Sequence, residues 1–318
     1  MKEYVISDKL KARFCADNKI SMQLYIEPYF TNRIKLFGYE EKYNNFISMI
    51  RDNFQNNEEA YFELYNKTKD DIINHIKNSK AFVLLNSDDM NKYKCEFNIR
   101  QSDVYKLPNV GKTFISIDIR KANFSSIVHY GIEHNTPFCE SEYNWTEFMS
   151  QFTSIEHIID SKYIRQVVFG NCNPKRQVTY EKYLMSLLLK EMIEVNLITE
   201  KDVYSMCSDE IVLYTDNMNE DMIDKLFDFI NNKDKTWLPL KIEKYKLGKI
   251  DNTSAFVKLI DNKEQESTLE LKCVSPVDAP AIHRLISGSQ LLDEDLYFLS
   301  DNRLAKFMDY PELKIRFE

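Results

Sequence analysis

Two short segments place acidic residues where they could do chemistry. The first is Ser116-Ile117-Asp118-Ile119-Arg120-Lys121-Ala122-Asn123-Phe124-Ser125, and the second is Tyr204-Ser205-Met206-Cys207-Ser208-Asp209-Glu210-Ile211-Val212-Leu213-Tyr214. In each, a carboxylate sits at the end or tip of an apolar, strand-like run. Asp118, Asp209 and Glu210, brought together from adjacent strands, would offer the hard oxygen ligands that divalent cations prefer. A pair of such cations activates an attacking oxygen and stabilises a leaving phosphate oxygen. That combination points to nucleotidyl transfer. Taken singly, Asp118 also reads as a strand end and Asp209-Glu210 as ordinary turn residues. Their joint occurrence in strongly β-prone surroundings favours a site.

A second group of polar residues, Arg165, Gln166, Lys175, Arg176 and Gln177, surrounds Gly170 and forms a dense set of donors suited to a nucleotide or template strand. Neither a P-loop nor a Gly-x-Gly-x-x-Gly segment is present. Phosphate binding would therefore fall to metal and side-chain cations. The five histidines, His75, His129, His134, His157 and His283, lack metal-ligand spacing and are expected to be structural. Most of the 19 Tyr and 20 Phe rings are expected in the core, although such rings can also stack on bases.

The 318 residues have room for one large domain or two to three small ones. With 43% hydrophobic and 13% aromatic residues, a globular fold is the default. No run approaches the roughly 18 apolar residues of a membrane span. The segment Met1-Lys2-Glu3-Tyr4-Val5 shows no secretory signal. Six scattered cysteines without a Cys-x-x-Cys pair argue for reduced thiols and a cytoplasmic location. A net charge of −8 counts against a general nucleic-acid binder, whose phosphate contacts need Lys and Arg. It leaves room for a locally basic cleft, because charges act over a Debye length of about 10 Å.

The elements that would position these residues follow from periodicity. Helical spacing covers Glu41–Asn53 and Glu58–Lys80, with Asn56-Asn57 as a turn or helix start. Ala81–Leu85 and Tyr93–Ile99 read as strands, and Pro108-Asn109-Val110-Gly111 as a turn leading into a strand over Thr113–Ile119. Ala122–Tyr130 and Ile155–Phe169 read as helices. Thr179–Val195 is the strongest helix, with Tyr180, Tyr183, Leu184, Leu187, Leu188 and Met192 on one face. Val203–Tyr214 reads as two strands around a turn at Ser208-Asp209-Glu210. A helix over Asp221–Asn231, strands over Leu240–Lys244, Ala255–Ile260 and Leu269–Val274, and a helical tail from Pro280 complete the chain.

This order, with the residues it carries, resembles the palm of reverse transcriptases. Asp118 followed by Ala122, Asn123 and Phe124 is similar to the retroviral motif A, in which Ala, Tyr and Phe stand four, five and six residues after the Asp. Phe169-Gly170-Asn171-Cys172-Asn173-Pro174 resembles motif B. Cys207-Ser208-Asp209-Glu210 lies where the family has its Tyr-x-Asp-Asp hairpin, and Leu240-Lys241-Ile242-Glu243-Lys244-Tyr245-Lys246 resembles motif D. The resemblance spans roughly residues 80 to 275. It departs at the hairpin, where Glu210 replaces an Asp, and Ser208–Leu213 also resembles the His-Asp-Glu-Ile-Val-Leu run of family-A DNA polymerases. It departs again at Asn123, in the place of the bulky residue that excludes a ribose 2′-hydroxyl.

The resemblance implies an α+β chain with a right-hand polymerase palm, an antiparallel sheet with helices on one face. It implies a helical region over 1–80, reduced fingers and palm over 81–275, and a small helical thumb-like tail over 276–318. Asp118 and Asp209 would hold Mg²⁺ or Mn²⁺, with Glu210 a weaker third ligand. Arg120, Lys121, Asn123, Arg165, Gly170, Arg176 and Gln177 would face the nucleotide or template, and Lys244 could protonate the leaving pyrophosphate. The implied partners are a primer–template and nucleoside triphosphates, with no membrane and with room for a protein or RNA partner. The competing expectation is a palm-derived nucleic-acid-binding or assembly protein without polymerase activity, which the acidic charge and the altered hairpin favour.

Overall fold

The computed structural model describes residues 6–139, 143–261 and 266–318. The chain opens with helices α1 (Asp8–Asn18), α2 (Tyr29–Leu36), α3 (Glu40–Phe54), α4 (Glu58–Asn78) and α5 (Lys80–Ser87). Side-chain caps fix where α1 and α4 start. Ser7 Oγ accepts from the Leu10 amide, and Asn57 Oδ1 accepts from the Ala60 amide with Glu58 and Glu59 in the first turn of α4.

The strand expected over Ala81–Leu85 is instead the short helix α5. Ser79 Oγ accepts from the Phe82 amide, and Ala81, Phe82 and Leu85 turn inward at helical spacing. A five-residue apolar run has too little period to tell strand from helix. Tyr93–Ile99 forms no strand either. Its alternation buries Tyr93, Cys95, Phe97 and Ile99 fully or partly against neighbouring helices, and no ladder pairs with it.

Strand β1 (Thr113–Ile119) leads into α6 (Ala122–Glu133), α7 (Trp145–Ser150), α8 (Glu156–Ile159), α9 (Lys162–Gly170) and α10 (Pro174–Glu194). The single helix expected over Ile155–Phe169 breaks at Asp160-Ser161, where the Ser161 hydroxyl caps α9. Helix α10 begins five residues before the expected Thr179. Asn173 takes a left-handed backbone, and Pro174 supplies a first helical residue that needs no amide donor. Then come β2 (Val203–Met206), β3 (Glu210–Tyr214), α11 (Glu220–Thr236), β4 (Leu240–Ile250), β5 (Phe256–Ile260) and β6 (Thr268–Lys272). The tail is not helical throughout. Helix α12 (Ala279–Ile286) gives way to a hairpin of β7 (Tyr297–Ser300) and β8 (Arg303–Lys306), and β9 (Ile315–Arg316) joins the end of β4.

The fold is mixed α+β around an antiparallel sheet of order β2-β3-β1-β4-β5-β6, with β9 beside β4. Its two faces differ. Ile115, Ile117, Ile119, Ile211, Leu213 and Leu240 point into a core shared with Tyr180, Leu184 and Leu188 of α10 and Ile223, Leu226 and Ile230 of α11. A second core, rich in rings, joins the N-terminal helices to α6–α9 through Phe14, Phe46, Phe124, Trp145, Phe148 and Phe169. Among the described residues, no helix is long and apolar enough to cross a membrane.

One buried carboxylate ties the N-terminal helices to the break before α9. Asp17 Oδ1 accepts from the Tyr65 hydroxyl and the Ser161 hydroxyl, each at 2.7 Å, and Arg13 lies 3.5 Å away. His157 Nε2 stands 3.1 Å from Oδ2. Asp17→Ala leaves these buried donors unpaired, so a loss of about 2–4 kcal/mol is expected. Denaturant unfolding measures it, and a change within about 0.5 kcal/mol, the range of a surface substitution, would contradict the assigned role.

Candidate active site

The ladder sets the site. Asp118 lies directly opposite Glu210 on β3 and opposite Lys241 on β4, while Ser116 lies opposite Glu243. Residues facing each other across a ladder share a face, with Cβ atoms about 4.5–5.5 Å apart. Asp118, Glu210, Lys241, Glu243, Lys258 and Glu270 therefore share the sheet face that the α10–α11 core leaves uncovered. Asp209 occupies the turn between β2 and β3. The Ile119 amide donates to its carbonyl at 2.9 Å, and the Cys207 amide donates to the Glu210 carbonyl at 2.9 Å, closing the turn. The Asp209 carboxylate accepts from the Ser208 hydroxyl at 3.2 Å and the Cys207 thiol at 3.4 Å.

Asp118, Asp209 and Glu210 line one cleft of about 320 Å³. Burial pushes the Asp118 carboxyl up to about 7, and the charges of Asp209 and Glu210 push in the same direction, against the pull of Lys241 and Lys258. Glu210 Oε1 accepts from the Ser116 hydroxyl at 2.5 Å, so one of its oxygens is already engaged by the neighbouring strand β1. Among the described residues, no three His, Cys, Asp or Glu side chains form a ready-made metal-ligand group. Two carboxylates still suit Mg²⁺, which takes one or two of them and fills its shell with water and substrate phosphate. The crowding that raises Asp118 is the charge imbalance that such an ion relieves.

Sequence reasoning missed the cations of this cleft. Lys162 of α9, Lys241, Lys258 and Lys272 line it together with the acids. Lys258 is 4% exposed, with its ammonium 4.1 Å from the Tyr245 ring centre. Burial, then Lys272, lowers its pKa. Lys162 is lowered by burial and then by Arg165, Lys19 and Lys272, a gathering of like charges on an acidic protein. Arg165 is half-buried beside the Trp145 ring, and Lys121 is lowered by burial and by Arg165. Also missed was Glu181 of α10. Burial and the charge of Asp209 push it up to about 7. Its signal was present, since Gln177, Glu181, Leu184 and Leu188 form one helical stripe that turns inward.

Several expected site residues lie elsewhere. Arg120 is exposed and pairs loosely with Asp234 at 3.9 Å. The Arg176 guanidinium donates to the carbonyls of Leu85 at 2.9 Å and Asp88 at 2.8 Å, a structural tie to α5. Gln177 is fully buried and donates to the Cys172 carbonyl. Lys244 faces away from the acids, opposite buried Ile115, and pairs with Glu220 at 3.0 Å and Asp261 at 3.7 Å. Gly170 ends α9 in open space. Asn123, half-buried near the start of α6, directs its amide nitrogen at Glu181.

No protein-family model matches the chain, and comparison with curated proteins finds no significant match.

The raised Asp118 carboxyl has a consequence for stability. Its folded value of about 7 exceeds the ordinary 3.8, so between these values the folded state holds the proton more tightly than the unfolded state. Stability from this group therefore falls as pH rises through that window, and the penalty is complete above it. Asp118→Asn should be more stable than the parent at about pH 8, on the order of 2 kcal/mol. The difference should disappear near pH 3, below the window. Thermal unfolding at both values checks this, and a gain of equal size at both would contradict it.

Proposed function

We propose that this chain is a template-directed nucleotidyltransferase of reverse-transcriptase type, in which the antiparallel sheet serves as the palm. The observation that carries the reading is the meeting of Asp118 with Asp209 and Glu210 on the sheet face opposite the one packed by α10 and α11. The order of the motifs along the chain supports it independently.

Each group then has a task. Asp118 and Asp209 are the donors for Mg²⁺ or Mn²⁺, which when bound would activate a primer 3′-hydroxyl and neutralise charge at the α-phosphate. Lys162, Lys241, Lys258 and Lys272 offset the acids and draw in a polyanion, so that the triphosphate meets a floor of mixed sign. Arg165 and Lys121 extend this basic wall toward α6. Glu210, held by Ser116, has a supporting role.

A second reading, a palm-derived nucleic-acid-binding or assembly protein without catalysis, draws on two observations. Glu210 is engaged by Ser116, and among the described residues no three acidic side chains stand ready-made as a metal-ligand group. Primer extension on RNA and DNA templates with Mg²⁺ or Mn²⁺ separates the two. Extension is expected, and its absence under every condition, with nucleic acid still bound, would favour the second reading.

Asp118→Asn and Asp209→Asn are each expected to lower extension by about a thousandfold or more while the fold is retained. Glu210→Ala should cost about tenfold, the worth of one hydrogen-bonded contact. Asn123→Tyr should reduce ribonucleotide incorporation, measured with rNTP and dNTP pairs on one primer. Strong exclusion of rNTP by the unaltered protein would assign the sugar gate to another residue.

A further inference from the structure

A separate cleft of about 380 Å³ lies where the N-terminal helices meet β6 and α12. Its walls come from distant parts of the chain. Lys19 and Ile20 follow α1, Phe37 and Tyr39 follow α2, Leu271 belongs to β6, and His283 lies on α12. The Ser21 hydroxyl donates to the Val274 carbonyl at 3.1 Å and ties two of these parts together. Between the two rings that follow α2, Gly38 takes a left-handed backbone (φ 78°), which glycine adopts without strain.

The cleft joins rings to an unpaired cation. The Phe37 and His283 rings pack with centres 4.3 Å apart. Burial holds the His283 imidazole below its ordinary pKa, and when neutral it carries one donor and one acceptor. Among the described residues, neither of its nitrogens has a hydrogen-bond partner, and the Tyr39 hydroxyl has none either. Lys19 is exposed, its ammonium donates to Gln166 Oε1, and no described carboxylate pairs with it. Lys19 and Lys272 both weigh on Lys162 of the acidic cleft, so positive charge runs from one cleft to the other on a chain of net charge −8.

A planar ring laid against Phe37 and His283 would meet the imidazole and the phenol with its polar edge, and an attached anion would reach Lys19. An apolar ligand would leave the imidazole nitrogens unpaired, and a bare anion would leave the rings unused. Clefts of roughly 300–1,000 Å³ hold small ligands. We propose that this cleft binds a nucleobase carrying a phosphate, either as a free nucleotide or as one unit of a single strand. The proposal does not rest on the nucleotidyltransferase reading, because none of these lining residues belongs to the acidic cleft.

The test is calorimetric titration of the full chain with AMP, adenosine, inorganic phosphate and a short oligoadenylate. Divalent cations are left out, so that the carboxylates of the acidic cleft repel phosphate. The nucleotide should bind at least about tenfold tighter than adenosine or phosphate, since ring and anion both contribute. Phe37→Ala should weaken it about tenfold, the worth of one stacked base. Lys19→Glu, a change at an exposed side chain, should weaken it about tenfold and leave adenosine unchanged. His283→Phe keeps a ring and removes both nitrogens, and should cost about fivefold. Saturable AMP binding with these losses assigns the cleft to a free nucleotide. The same losses for oligoadenylate, with AMP unbound, assign it to a strand. The proposal is overturned if neither ligand binds, or if phosphate or adenosine binds as tightly as the nucleotide. It is overturned equally if Lys19→Glu or His283→Phe binds like the parent. Should Phe37→Ala unfold early in a thermal scan, those two variants decide.

Discussion

The register between β1 and β3 holds the site together, because a strand has a strict period of two. With Asp118 opposite Glu210, the alternating Ile115, Ile117 and Ile119 turn toward α10 and α11, and Ser116 and Asp118 turn away. A slip of one residue would send the carboxylate into the apolar core and the isoleucines into the cleft. The burial of three isoleucines and the turning of one aspartate toward the cleft are therefore one decision. The hairpin at Ser208-Asp209 inherits it, since the bond from the Ile119 amide fastens the turn to the end of β1.

Against this frame the electrostatics are finely divided. The acids crowd each other at the centre, and lysines from β4, β5, β6 and α9 surround them. Neither set cancels the other fully, for Asp118 remains raised and Lys258 and Lys162 remain lowered. Sites that must accept both a cation and a polyanion need this imbalance, because a cleft whose charges were all paired would have little left to offer a ligand.

The parts legible in the sequence were those written locally. Asp118 and Asp209-Glu210 stand out because they interrupt apolar alternation, and Thr179–Val195 because its face repeats at helical spacing. Lys241, Lys258 and Lys272 are far apart in sequence and meet only through sheet register, so no local pattern could gather them. Arg176 and Gln177 were misleading for the opposite reason. They are close neighbours in sequence beside Gly170, but their donors are taken by the backbone carbonyls of Leu85, Asp88 and Cys172. Glu181 sat on a stripe that periodicity marks as inward, and a charged residue there was itself the signal.

The placement of β1 in the middle of the sheet bears on how the protein comes into being. Both of its partners lie far downstream, β3 beginning at Glu210, 91 residues after Ile119 (210 − 119), and β4 beginning at Leu240. At about 5–20 residues per second a ribosome takes roughly 5–20 s to supply the first of them. Phe114, Ile115, Ile117 and Ile119 have no ladder to join in that interval. An apolar strand with two bare edges is a template for association with other chains. Helix α6 follows it immediately and packs on the same core, which makes it the first available shelter for the nascent strand.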